Sequence, residues 1–171
     1  MPSRVAIMSV AFVATASSKP RSIAAPMFER ILIVCVGNIC RSPIAEYVLR
    51  ARLGDGHRTR VESAGLGALV GHPMDATACQ LLHEHGIDGD VHRARQVDRA
   101  LLRPYDLILA MEKRHVAELG RIAPEVSGKV FLLDRWGEGR DIPDPYRQQR
   151  EAFEHVYTLI DASVSAWLRY L

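Results

Sequence analysis

The chain is short of the features that would commit it to several large classes of protein. Its 171 residues include three cysteines, Cys35, Cys40 and Cys79, an odd number at no zinc-finger or disulfide-scaffold spacing. That excludes a disulfide-stapled secreted scaffold and favours a reducing compartment, the cytoplasm, with thiols that are reactive or simply buried. No apolar run approaches the ~18 residues that a membrane span needs, so no membrane insertion is expected. Charge of one sign is not in excess either. The formal net charge is +2, and Arg4, Lys19 and Arg21 are the only charges before Met27, so residues 27–171 carry 19 basic against 20 acidic groups. This balance argues against a nucleic-acid partner. Internal repeats and low-complexity tracts are missing as well.

What is there begins with 48% hydrophobic residues in a length that suits one well-buried core and is short for two. Residues 1–26, "MPSRVAIMSVAFVATASSKPRSIAAP", carry an early Arg, a modest apolar patch and then small residues and prolines, a faint imitation of a secretory signal. They contain no capped, core-forming element. They are read as a disordered extension or a start assigned too early, with a single domain over 27–171.

From Met27 onward, strand and helix patterns alternate. "RILIVCV" (30–36) is a short apolar, β-branched run of the kind buried on both faces of a sheet, and "SPIAEYVLRARLG" (42–54) follows with Ala45, Val48 and Leu49 on one helical face. Further strands are read at 60–65, 105–111 and 128–134. Further helices are read at 74–86, with Ala78, Leu81 and Leu82 inward, at 112–120 and at 148–170. The last sets Phe153, Val156, Tyr157, Ile160, Val164, Trp167 and Leu168 at helical spacing. The expected fold is α/β, a doubly wound, four-stranded parallel sheet with helices on both faces and ligands beyond the carboxyl ends of the strands.

The first strand-to-helix turn, "CVGNICRSP", falls at such an end. Backbone N–H groups there can converge on an anion, aided by the helix dipole, so phosphate or another oxyanion is the expected ligand. Gly37 and Asn38 tolerate the left-handed backbone that a tight loop requires, and Ser42-Pro43 reads as an N-cap followed by a residue pre-set for the first turn. Glu46 lies four residues past Ser42, so this is not a strict capping box. Cysteines at helix N-termini beside arginine ionise readily, which makes Cys35 the candidate nucleophile. Arg41 offers a planar fork of donors for two phosphoryl oxygens. A leaving group needs a proton donor, and "RDIPDPYR" supplies Asp141 and Asp144 on one loop. Cys79, in "DATACQLLHEHG", reads as a small buried hydrophobe.

"VCVGNICRSP" with a downstream "DPY" resembles the low-molecular-weight protein tyrosine phosphatases over everything from Met27 to the C-terminus. "VESAGLGALVG", "HRARQ", "YDLILAMEKRH", "GKVFLL" and "IPDPYR" are most similar to the bacterial branch associated with the tyrosine autokinases of capsule and exopolysaccharide synthesis. The resemblance implies hydrolysis of phosphotyrosine on protein, with such an autokinase as partner, through a phosphocysteine on Cys35. Arg41 is then the phosphate clamp and Asp144, directly before the Pro-aromatic pair, the acid; Asp141 is left as a solvated loop charge. The loop Val36, Gly37, Asn38, Ile39 and Cys40 would bind the phosphoryl group. Ser42 would hydrogen-bond the thiolate, and His92 would support Asn38.

Leu69, where animal-type members place an aromatic residue, leaves Tyr146 as the only aromatic wall of the slot. Ile39, where relatives that act on phosphoarginine carry Thr, favours a flat aromatic ester. A loop folded around one phosphate also sets positions 35 and 40 face to face, within the ~4.4–6.8 Å of Cα separation that a disulfide spans. The resemblance implies that Cys40 protects the nucleophile in this way.

Arsenate reductase of the same fold is a rival reading, but it needs a further pair of cysteines where this chain has only Cys79. A non-catalytic phosphotyrosine reader is another, though it would be expected to lose the nucleophile or the acid. No cofactor and no metal are expected. His83 and His85 match nothing catalytic, and the carboxylate or cysteine partners that a metal would need are not evident in the spacing.

Overall fold

The computed structural model describes residues 27–171, and the reading of residues 1–26 lies outside the described residues. The chain runs β1 (Arg30–Cys35), α1 (Arg41–Leu53), β2 (Arg60–Gly65), α2 (Ala76–Glu84), α3 (Arg99–Leu102), β3 (Leu107–Ala110), α4 (Lys113–Ile122), β4 (Val130–Leu132) and α5 (Arg150–Trp167). All four strands are parallel, in the order β2-β1-β3-β4. This is the doubly wound α/β sheet expected.

β1 is continuously apolar because it is central and covered on both faces. Ile31 and Ile33 join Leu107 and Leu109 of β3 in one core with α1, α2 and α5. Leu32 and Val34 join Ile108 and Ala110 in a second core with Leu102, Leu119 and Val126 on the other face. On α5, Phe153, Val156, Tyr157, Ile160, Val164 and Trp167 are buried, while Leu168 lies beyond the helix in a 3₁₀ turn and is only partly covered. Each such side chain, fully buried, contributes roughly 1.5–3 kcal/mol to docking the helix.

Departures from the sequence reading fall at element ends. α1 begins at Arg41 with Cys40 in the cap position and no side-chain cap, so Ser42 is not the N-cap; its hydroxyl turns inward instead. α2 starts at Ala76 rather than 74, because the Asp75 carboxylate accepts from the N–H groups of Thr77 and Ala78. It ends before Gly86, whose φ of +74° is left-handed. β4 is three residues long instead of seven, since 3₁₀ turns at Pro124–Lys129 and Leu133–Trp136 take both flanks.

The strand order reverses at β1, whose neighbours β2 and β3 lie on opposite sides. Ligands of such sheets sit outside the carboxyl ends at that reversal. Here those ends are Cys35 and the segment just past Ala110.

Candidate active site

Residues 35–41 curl round the end of β1, with their carbonyls turned outward and each engaged. The Cys35, Val36 and Gly37 oxygens accept from Leu66, Gly67 and Leu69, and that of Ile39 accepts from Asp75 at 2.8 Å. Among the described residues no protein acceptor takes the N–H groups of Gly37, Ile39 and Cys40, which leaves them for an anion. Gly65 permits this closeness, since a Cβ there would stand 2.2 Å from the Val36 oxygen.

Asn38 fixes the loop. It is fully buried, with φ +55°, and every polar group it has is used. Its N–H points at Cys35 Sγ (3.3 Å), its amide nitrogen donates to Ser42 Oγ (2.9 Å) and Ser63 Oγ (2.8 Å), and its Oδ1 accepts from Arg95 N (2.9 Å). Its carbonyl accepts from His92 Nε2 at 2.7 Å, so that nitrogen carries the proton. Burial pushes the His92 pKa below the usual histidine range and keeps the ring neutral. Because Ser42 Oγ already accepts from Asn38, its own hydroxyl proton is available to Cys35 Sγ, 3.0 Å away. Two donors thus converge on one sulfur. Ser63 passes its proton toward Glu46 Oε2, continuing the buried chain outward to Arg50.

Arg41 is 1% exposed and held from three directions. Nη1 donates to Glu112 Oε1 (2.5 Å) and to the Ile142 carbonyl (2.9 Å), and Nη2 donates to Asp144 Oδ2 (2.7 Å). Burial works against charge on Glu112, but the Arg114 and Arg41 guanidiniums outweigh it and bring its pKa down to about 2. Asp144 is ordered by its own turn, in which Oδ1 accepts from Tyr146 N and the carbonyl from Gln148.

A cavity of about 270 Å³ opens over the loop. Cys35, Val36, Gly37, Ile39, Cys40 and Arg41 line its base, and Gly67, Leu69, Asp144, Tyr146 and Arg147 line its walls. Leu69 and Tyr146 are both exposed at the mouth, and the Arg147 guanidinium lies 5.1 Å from the centre of the Tyr146 ring. Cys35 itself is 2% exposed and is reached through this opening. Cys40 lines the same cavity, and burial above all, with Asp75 and Cys35 nearby, raises its pKa far above the usual thiol range. The arrangement offers a sulfur nucleophile, an anion cradle, a clamped guanidinium and a carboxylate at the rim, which together fit transfer of a phosphoryl group.

Of the residues read from sequence, Cys35, Val36, Gly37, Ile39, Cys40, Arg41, Leu69, Asp144 and Tyr146 thus meet at one cavity. Asn38, Ser42 and His92 stand behind the loop and do not line it. Glu112, Ser63, Arg95 and Arg147 were missed. Glu112 had a usable signal, since "LILAME" places it just past β3 at the strand-order reversal. Asp141 is exposed, as read, and its Oδ1 also accepts from Lys113 N at the start of α4 (2.8 Å). One reading needs correction. Cys79 is only partly buried, and its thiol donates to Asp90 Oδ1; desolvation and that carboxylate push its pKa up to about 11. His83 is exposed and stands beside both Cys79 and Asp90, donor neighbours that the spacing did not make evident.

Comparison with known proteins gives one consistent family. The family described as low molecular weight phosphotyrosine protein phosphatase matches residues 30–171. A curated relative, the low molecular weight protein-tyrosine-phosphatase Wzb of Escherichia coli K12, is 52% identical over 145 residues, which is 85% of this chain and 97% of the relative. The phosphatase Etp of the same organism is 48% identical over 144 residues, covering 84% and 95%. Among solved structures, Vibrio vulnificus Wzb in complex with benzylphosphonate superposes with a TM-score of 0.80 at 47% identity, covering 84% of this chain and 99% of the other.

Proposed function

The chain belongs to the low molecular weight phosphotyrosine protein phosphatase family, and from that premise we propose how its own residues carry out the hydrolysis of protein phosphotyrosine. Cys35 Sγ attacks phosphorus opposite the ester oxygen. The loop N–H groups and Arg41 hold the three remaining oxygens, more tightly as charge spreads in the transition state. Asp144 gives its proton to the departing tyrosine oxygen, leaving a phosphocysteine. Its carboxylate then takes a proton from the water that attacks phosphorus, and the thiolate leaves.

The observation that carries this reading is the Arg41 triangle. One guanidinium is pinned by partly buried Glu112 while its outer nitrogen faces Asp144 at 2.7 Å, over a sulfur that receives two hydrogen bonds. An arriving phosphoryl group competes for Nη2 and releases Asp144 toward the leaving oxygen. Arsenate reduction fits less well: Cys79, the one further thiol, bonds Asp90 and lines no part of the cavity.

The finer reading is a single phosphatase domain over residues 27–171, working in the cytoplasm on a tyrosine autokinase of capsule or exopolysaccharide synthesis. The resemblance of "VESAGLGALVG" and "IPDPYR" to that bacterial branch supports it. Turnover on phosphotyrosine, phosphoserine and phosphoarginine peptides tests the specificity. Because the thiol lies at the base of a slot between Leu69 and Tyr146, a long flat aryl ester reaches it and a short alkyl ester does not. Phosphotyrosine is expected to dominate, and equal rates on phosphoserine would overturn the reading.

A further inference from the structure

Away from the phosphate loop, the last turns of α2 and the segment after it bring a thiol, an imidazole and a carboxylate to one point. Cys79 and His83 are one helical turn apart and share a face of α2, and the chain returns beneath them at Asp88 and Asp90. Cys79 Sγ stands 3.2 Å from Asp90 Oδ1, His83 Nε2 stands 3.3 Å from the same oxygen, and sulfur and nitrogen are 4.0 Å apart. Donors bonded at ~2.0–2.3 Å to one tetrahedral zinc ion lie ~3.3–3.6 Å from one another. The three atoms already approximate one face of that tetrahedron.

We propose that Cys79, His83 and Asp90 form a surface site for a borderline-soft divalent cation, Zn²⁺ above all, with water in the fourth position. Thiolate and imidazole select zinc over magnesium or calcium, which prefer all-oxygen shells. Thiolate and carboxylate together neutralise the ion. The Asp88 carboxylate, 3.8 Å from His83 Nε2, adds to the negative field. On binding, the Cys79 S–H bond gives way to an S–Zn bond and its proton leaves to solvent; nothing is oxidised. Zinc here clips the segment after α2 to the helix. That segment continues directly into His92, which donates to the Asn38 carbonyl, so the clip braces the back of the phosphate loop while remaining outside the catalytic cavity.

The test uses the full chain carrying Cys35→Ser, so that the nucleophile does not report. One equivalent of Zn²⁺ is expected by calorimetry. Co²⁺ in its place is expected to give a thiolate-to-metal charge-transfer band, and Zn²⁺ to raise the thermal midpoint by mass action. Adding Cys79→Ser should abolish the band. Cys79→Ser, His83→Gln and Asp90→Asn should each weaken binding by roughly 10- to 100-fold or more and remove the thermal shift, while the helical circular dichroism stays unchanged. Binding only at millimolar Zn²⁺, a band that survives Cys79→Ser, or a band lost instead in Cys40→Ser would overturn the proposal. Each of those outcomes would leave the phosphatase reading untouched.

Discussion

Asp144 makes its shortest contact with the residue it is proposed to work beside, Arg41 Nη2 at 2.7 Å, whereas Asp141 lines no part of the cavity and serves the N-terminus of α4. Asp144→Ala is therefore expected to slow phosphotyrosine hydrolysis by ~10²–10⁴-fold, the usual worth of a general acid, and far less for an activated leaving group such as nitrophenolate. Asp141→Ala should leave the rate nearly intact and lower stability by about 0.5–2 kcal/mol, as loss of a helix cap does. Steady-state rates against leaving-group pKa check both, and the larger slope in Asp141→Ala would move the acid. Cys40 yields a second prediction. Peroxide converts the Cys35 thiolate to a sulfenic acid, and the Cys40 thiol condenses with it to a disulfide, releasing water. Burial keeps Cys40 protonated, so capture is slower than by an exposed thiolate. Mild peroxide should inactivate reversibly by dithiol, and irreversibly in Cys40→Ser; mass spectrometry joining Cys35 to Cys79 would contradict this. The residues legible in sequence were those whose chemistry is fixed by type and spacing along one loop. Ser63 acts from β2 and Glu112 from the turn between β3 and α4, across contacts that only the fold creates.

Among the elements, α2 is tied to the catalytic loop by one residue. Asp75 donates its N–H to the Ile39 carbonyl, and its carboxylate accepts from the N–H groups of Thr77 and Ala78 in the first turn of α2. Asp75→Ala should cost about 0.5–2 kcal/mol in urea unfolding, and Asp75→Asn, which still caps, should recover most of it. An equal loss in both would mean that the charge matters rather than the cap. Long periodic elements were readable in advance: β1, β2 and the apolar face of α5 fall where their patterns put them. The four-residue α3 was not, because one turn carries no periodicity. β4 was overextended because "GKVFLLD" continues apolar into 3₁₀ turns that share its composition. Gly65 was visible as the end of a strand, but its contact with Val36 was not.

For the molecule as a whole, acid stability is set first by two buried imidazoles. Burial lowers the pKa of both His92 and His115, and both ring nitrogens of His115 lack hydrogen-bond partners among the described residues. The unfolded chain, with histidines near ~6.5, then takes up protons more readily than the folded one, so stability falls as pH drops through ~6.5 toward the depressed folded values. Glu112 behaves oppositely. Held at about 2, it contributes stability above the ordinary carboxylate range of ~4.3 that is lost only in stronger acid. Thermal midpoints should decline between about pH 7.5 and 5.5, less steeply in His115→Gln, and a flat profile in the parent would contradict this. Both cores, the loop and the pinned arginine converge on one claim, that phosphate passes through Cys35. Rapid acid quench of the enzyme turning over a ³²P-labelled phosphotyrosine peptide, followed by peptide mapping, tests it most directly. The label is expected as a stoichiometric burst on the peptide holding Cys35 and is expected to vanish in Cys35→Ser. Label on any other residue, or turnover persisting in Cys35→Ser, would contradict it.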